Sequence, residues 1–93
     1  MPFKYDFSDE LEETLKKLFK KDRKRYEIIM KKSEEIASRN ETSIEFYKNL
    51  KHDKKEYKRV HIDKSFVLLF KVFKKQKFIL FDRFDHHDNI YKK

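Results

Sequence analysis

Three stretches set the architecture: Tyr57-Lys58-Arg59-Val60-His61-Ile62-Asp63, then Phe66-Val67-Leu68-Leu69-Phe70-Lys71-Val72, then Phe78-Ile79-Leu80-Phe81-Asp82-Arg83-Phe84. In the first, Val60 and Ile62 alternate with Arg59, His61 and Asp63, the period of a strand with one buried face. The second and third are almost wholly apolar and rich in aromatic and β-branched side chains, which suit a pleated, packed surface. Short polar turns at Asp63-Lys64-Ser65 and Lys74-Lys75-Gln76 separate them, so an antiparallel three-stranded meander is predicted.

Upstream, Phe3, Tyr5 and Phe7 alternate with Lys4 and Asp6, a short N-terminal strand. Ser8 then stands where an N-cap belongs, with Asp9, Glu10, Glu12 and Glu13 in the first turns and Lys16, Lys17, Lys20 and Lys21 in the last. That order suits the helix dipole and offers Glu12–Lys16 and Glu13–Lys17 pairs. Leu11, Leu15, Leu18 and Phe19 form its apolar stripe. The pattern breaks at Asp22 and resumes as Tyr26, Ile29, Met30, Ser33, Ile36 and Ala37, a second helix over roughly residues 22–39. The run Ser38 to Ser43 is polar loop. The expected fold is α+β: a short N-terminal strand, a two-helix hairpin and the meander, with both helices on one sheet face.

The 93 residues form one domain, 1–93, with a thin core. Ten Phe and five Tyr supply the apolar material that disordered chains of similar charge lack. There is no Cys, which excludes a disulfide scaffold, a cysteine zinc site and a thiol nucleophile. There is no Gly either, so phosphate-cradling loops and dinucleotide fingerprints are absent and no cofactor is expected. The longest apolar run, Phe66 to Phe70, cannot span a membrane, and the first residues lack a signal-peptide core. A soluble, cytoplasmic protein with no membrane partner is expected.

Two helices cover one face of a sheet, yet the second and third strands carry apolar side chains on both. The other face therefore needs a cover. Either a protein partner supplies it, or the 40–56 loop does, with Ile44, Phe46, Tyr47 and Leu50.

The net charge of +8 attracts polyanions. The basic surplus is spread over the helices, the 48–59 segment, the Lys74-Lys75-Lys77 turn and the Lys92-Lys93 tail, and Lys51, Lys54, Lys55, Lys58 and Arg59, with His86, are the candidate RNA contacts. His61 must lie opposite Val60 and Ile62, away from the helices. His86 and His87 stand in Arg83-Phe84-Asp85-His86-His87-Asp88-Asn89-Ile90-Tyr91, where apolar alternation yields to a dense polar run. RNA cleavage without a metal needs a base for the 2′-hydroxyl, an acid for the leaving 5′-oxygen and positive charge on the phosphate. Two imidazoles, an Arg or Lys and a Tyr supply these. His86 is open between structural capping and substrate contact. A divalent-ion site of Asp85, His86, His87 and Asp88 fits no standard ligand spacing, so no metal site is assigned. His52, in a polar loop, is expected to be exposed and without function.

The run from Tyr57 to Val72 resembles the Tyr-Arg-x-x-His-Val-Glu-x-Asp-Trp-Ile-Leu-Ile-Tyr-Lys-Leu strand pair of the YafQ-like branch of the RelE/ParE toxin superfamily. Phe81 to Tyr91 is similar to that branch's closing Phe-Glu-Arg-Thr-Gly-Thr-His-x-x-Leu-Phe, and the order strand, helix hairpin, three strands extends the likeness. The resemblance implies a type II toxin–antitoxin toxin acting as a ribosome-dependent mRNA endonuclease (mRNA interferase). Its partners would be a cognate antitoxin, the ribosome and mRNA. It also implies His61 and His87 as acid–base residues and Tyr91 as the aromatic beside substrate, with Arg83 in the matched closing segment.

Three positions depart from the family pattern. Ser65 stands where the branch has an acidic residue, Lys48 where it has a His, and Val67 where other members have an Arg. Two alternatives share this fold: a ParE-type gyrase-binding toxin, and a catalytically inert basic RNA-binding relative.

Overall fold

The computed structural model describes residues 3–50 and 56–91. Strand β1 (Lys4–Phe7) leads into helices α1 (Asp9–Lys21) and α2 (Arg23–Ala37), and a 3-10 turn (Ser43–Phe46) follows. Strands β2 (Lys58–Ile62), β3 (Phe66–Phe73) and β4 (Phe78–His86) form the meander, and a one-turn helix, α3 (His87–Ile90), closes it. The sheet order is β1-β4-β3-β2; β1 runs parallel to β4 and the other pairs are antiparallel. The α+β class follows from the sequence, while α3 and the 3-10 turn were not foreseen.

One residue separates the helices. Asp22 donates its backbone N–H to the Leu18 carbonyl, ending α1, and its carboxylate accepts from the Arg25 N–H, starting α2. Ser8 caps α1 by accepting from the Leu11 N–H at 3.1 Å. On the exposed face of α1 the pair that forms is Glu13–Lys16 at 3.5 Å, three residues apart rather than four.

The main core lies between helices and sheet, where Leu11, Leu15, Ile29 and Ile36 meet Ile62, Leu68, Phe70, Ile79, Phe81 and Phe84. Burial at about 25 cal/mol per Å² of apolar surface makes this packing the chief source of stability. A smaller cluster occupies the opposite face: Leu50 and Ile90 cover Val67 and Leu69, with Tyr57 against them. The second face is thus covered in part by the chain itself. Of the four loop residues expected there only Leu50 serves; Ile44 and Tyr47 join the helix-side core, and Phe46 is 75% exposed.

Strand β4 carries a bulge. Leu69 pairs with Arg83 but Phe70 pairs with Phe81, so Asp82 has no opposite number. The extra residue inverts the alternation. Ile79, Phe81 and Phe84 all enter the helix-side core, and Arg83 turns to the other face. With no Gly in the chain, left-handed backbone falls on Asp63 (φ 56°) and Lys77 (φ 50°), one in each hairpin turn.

Candidate functional site

The pleat assembles the site on the face away from the helices. Cross-strand register sets two rows, His61–Val67–Asp85 and Arg59–Leu69–Arg83. Strand spacing separates His61 from Asp85 by about 10 Å at Cα. Val67 and Leu69 are buried at the centre, so the polar groups form a rim around the small apolar cluster. Lys71 lies farther along the same face, its ammonium 4.6 Å from the Tyr57 ring centroid. His61 is exposed on the outer strand and makes no hydrogen bond or ion pair among the described residues. It stands beside the row that carries Arg59 and Arg83.

His87 enters from the other side. Its backbone N–H donates to the Ser65 carbonyl at 2.8 Å, which pins the start of α3 against the head of β3. Its Nδ1 lies 3.1 Å from Asp88 Oδ1, and its ring is 42% exposed. The Tyr91 ring is 6.4 Å from the His87 ring, and the Arg59 guanidinium lies 5.8 Å from the Tyr91 centroid. Tyr91 therefore bridges from the β4 side of the site to β2, two residues from His61.

Asp85 organises this end. It accepts from the His86 N–H at 2.7 Å, the Asn89 side-chain amide at 3.0 Å and Arg83 Nη2 at 3.1 Å. Burial works to raise its pKa, but the bonds from Asn89, His86 and Arg83 and the Arg83 charge outweigh it and hold the carboxyl below its ordinary value. Arg83 also reaches Glu10 of α1 at 3.6 Å.

Lys58 requires a correction. Proposed from the sequence as an RNA contact, it is buried on the helix side of β2, where its ammonium binds Glu45 Oε1 at 3.1 Å, the Tyr47 carbonyl at 3.0 Å and Asn49 Oδ1 at 3.0 Å. Burial pulls its pKa below the usual lysine value. It anchors the 3-10 turn instead of meeting a polyanion. Strand parity accounts for this: Lys58 shares a face with Val60 and Ile62, whereas Arg59 shares one with His61. Lys51, Lys54 and Lys55, like His52, lie outside the described residues.

His86, His87 and Asp88 each offer a metal-ligating atom within 4.8 Å of the others. The two rings stack 4.9 Å apart at 27°, and His86 Nδ1 already accepts the Asp88 N–H within the turn.

No family model matches the chain. It is 47% identical over 91 residues to "Putative toxin RelE4" of Methanocaldococcus jannaschii, spanning 98% of this chain and 93% of that protein. The chain belongs to the RelE family of toxins. An "Uncharacterized protein" of Methanosarcina mazei is 43% identical to this RelE-family chain over 82 residues, 88% of this chain and 91% of that protein. Two solved structures share its fold. A chain of the toxin–antitoxin complex RelBE2 from Mycobacterium tuberculosis matches with a TM-score of 0.75 at 14% identity, over 92% of each chain. YafQ from E. coli matches with a TM-score of 0.66 at 16% identity, over 96% of this chain and 98% of that one.

Sequence reasoning missed Asp85 as the hub of the candidate site and the buried role of Lys58. For Lys58 the signal was present in strand parity. For Asp85 it was not, because Asn89 reaches it only once α3 has turned.

Proposed function

We propose that this RelE-family toxin is the endoribonuclease of a type II toxin–antitoxin pair, cutting mRNA on the ribosome by acid–base chemistry. The observation that carries the reading is Tyr91, whose ring links His87 on one side to Arg59, two residues from His61, on the other. Two imidazoles then border one end of an open face, with Arg59 and Arg83 in the next row. One imidazole takes the 2′-hydroxyl proton as that oxygen attacks phosphorus. The other gives a proton to the departing 5′-oxygen, leaving a 2′,3′-cyclic phosphate and a free 5′-hydroxyl. Arg83 and Arg59 bear on the phosphate charge, and Tyr91 offers a ring to a base. Cleavage on ribosomes places the protein in the cytoplasm. Among the described residues no helix is long and apolar enough to cross a membrane.

A cognate antitoxin is the second partner. An apolar groove between α1, α2 and β1 is lined by Phe7, Leu15, Phe19, Tyr26 and Met30 and edged by Lys16, Lys20 and Glu12. A segment with apolar anchors and acidic flanks complements it and offsets the charge of +8.

The deciding experiment is mapping of mRNA cleavage on translating ribosomes with His61→Ala and His87→Ala. Each should lower cleavage by about 10²–10⁴-fold. Full cleavage and full toxicity in both variants would remove the nuclease reading and favour a binding toxin of the ParE kind.

A further inference from the structure

A run of ring contacts leads from the core to the site. Phe84, in the helix-side core, stacks on Phe66 at 5.1 Å; Phe66 meets the edge of His86 at 5.6 Å; His86 stacks on His87 at 4.9 Å. The Arg25 guanidinium of α2 closes over the other part of Phe66 at 4.4 Å. His86 is thus the joint between packed interior and exposed turn. It holds a second contact as well: its Nδ1 accepts the Asp88 backbone N–H at 3.2 Å, the N-cap bond of α3. Its own N–H is taken by Asp85 at 2.7 Å.

His86 is tied to the fold on two sides: its ring contacts those of Phe66 and His87 and the lone pair on Nδ1 is engaged, while 40% of the side chain stays exposed. His87, by contrast, is held on the turn that His86 caps and against the ring that His86 presents.

We propose that His86 is a positioning residue that fixes the His87 imidazole, through ring stacking and through the cap of α3, rather than a residue that binds RNA. The proposal rests on the reading of His87 as a proton-transfer group. Held rotamers matter because a displacement of about 1 Å in a reacting group can cost on the order of 10²-fold in rate. The charged and titratable groups facing this pair are Asp85 from β4, Asp88 of α3, and Tyr91, with Arg59 of β2 beyond it.

The test is a mutant cycle on cleavage rate with an NMR readout beside it. His86→Ala should lower kcat by about 10–100-fold with little change in KM for RNA. In a His87→Ala background the same change should have no further effect, because residues that act through one another are non-additive. His86→Asn, which keeps a capping acceptor, should recover part of the rate, and His86→Phe, which keeps the ring, another part. Independently of activity, the His87 ring resonances should broaden or split in His86→Ala. Multiplicative rate losses with a raised, salt-dependent KM would make His86 an RNA contact and overturn the proposal. Unchanged His87 resonances in His86→Ala would overturn it as well. If His87→Ala cleaves normally, the acid–base reading fails instead, and the resonances still report whether His86 holds the ring.

Discussion

The hydroxyl of Ser8 donates to the carbonyl of Asp82 at 2.5 Å, joining the N-cap of α1 to the bulge in β4, 74 residues away. The Ser8 backbone N–H donates to the neighbouring Phe81 carbonyl at 2.9 Å. One small side chain thus caps a helix and bonds the carbonyl of the bulged residue. The bulge in turn puts Arg83 on the site face.

Ser8→Ala removes both bonds and should cost about 1–2 kcal/mol, read as a lower urea midpoint at unchanged slope. Ser8→Asp keeps the acceptor for the Leu11 N–H but cannot donate to Asp82, so its midpoint should fall between the two. If Ser8→Ala leaves the midpoint where it was, the hydroxyl holds neither end.

Lys58 and Arg59 are adjacent yet should behave as opposites. Lys58→Met removes three partly buried bonds and should destabilise by about 1–3 kcal/mol while leaving RNA affinity per folded molecule unchanged. Arg59→Ala should alter stability little, weaken RNA binding and reduce the slope of log affinity against log salt by about one. Binding isotherms at several salt concentrations separate the two.

Lys77 holds φ at 50°, a region costly to any residue with a Cβ. Lys77→Gly should therefore stabilise the protein by about 0.5–1 kcal/mol after the entropy of a freer unfolded chain is subtracted. Asp63→Gly should gain less, since it also loses the 3.5 Å contact with Arg25. Thermal midpoints decide, and a lower one for Lys77→Gly would show that the Lys77 side chain, paired with Glu41 at 3.1 Å, matters more than backbone strain.

Acid should loosen the site end through Asp85. Its folded pKa lies below the unfolded value, so its contribution to stability is present above the ordinary carboxylate range of about 3.9 and is lost as pH falls through the folded pKa. Asp85→Asn should lower the thermal midpoint at neutral pH and flatten its decline on acidification. Equal declines in both proteins would show that other carboxylates carry the acid response.

Phe19 stands 44% exposed at the lip of the α1–α2 groove, with Arg23 over its ring at 3.6 Å. Phe19→Glu should leave the fold intact and weaken antitoxin binding about tenfold or more by titration calorimetry. Unaltered affinity would put the antitoxin elsewhere.

The sequence by itself determined the four strands, the two long helices and the buried faces of β2 and of the helices. Period-two alternation in 57–63 and a helical stripe from Leu11 to Ala37 are local properties of the chain, and burial enforces them wherever they pack. The same parity separated His61 from the core, and Ser8 was legible as a cap from the acidic turn behind it. Tertiary structure alone decided what non-local bonds impose. The bulge at Asp82 is stabilised by a serine 74 residues away, so no window around Arg83 reveals which face it takes. Leu50 and Ile90 reach Val67 and Leu69 only after the sheet has formed, which is why the cover of the second face could not be assigned. The link from His87 through Tyr91 to Arg59 joins β4 to β2 across β3, a contact made by strand order and not by spacing along the chain.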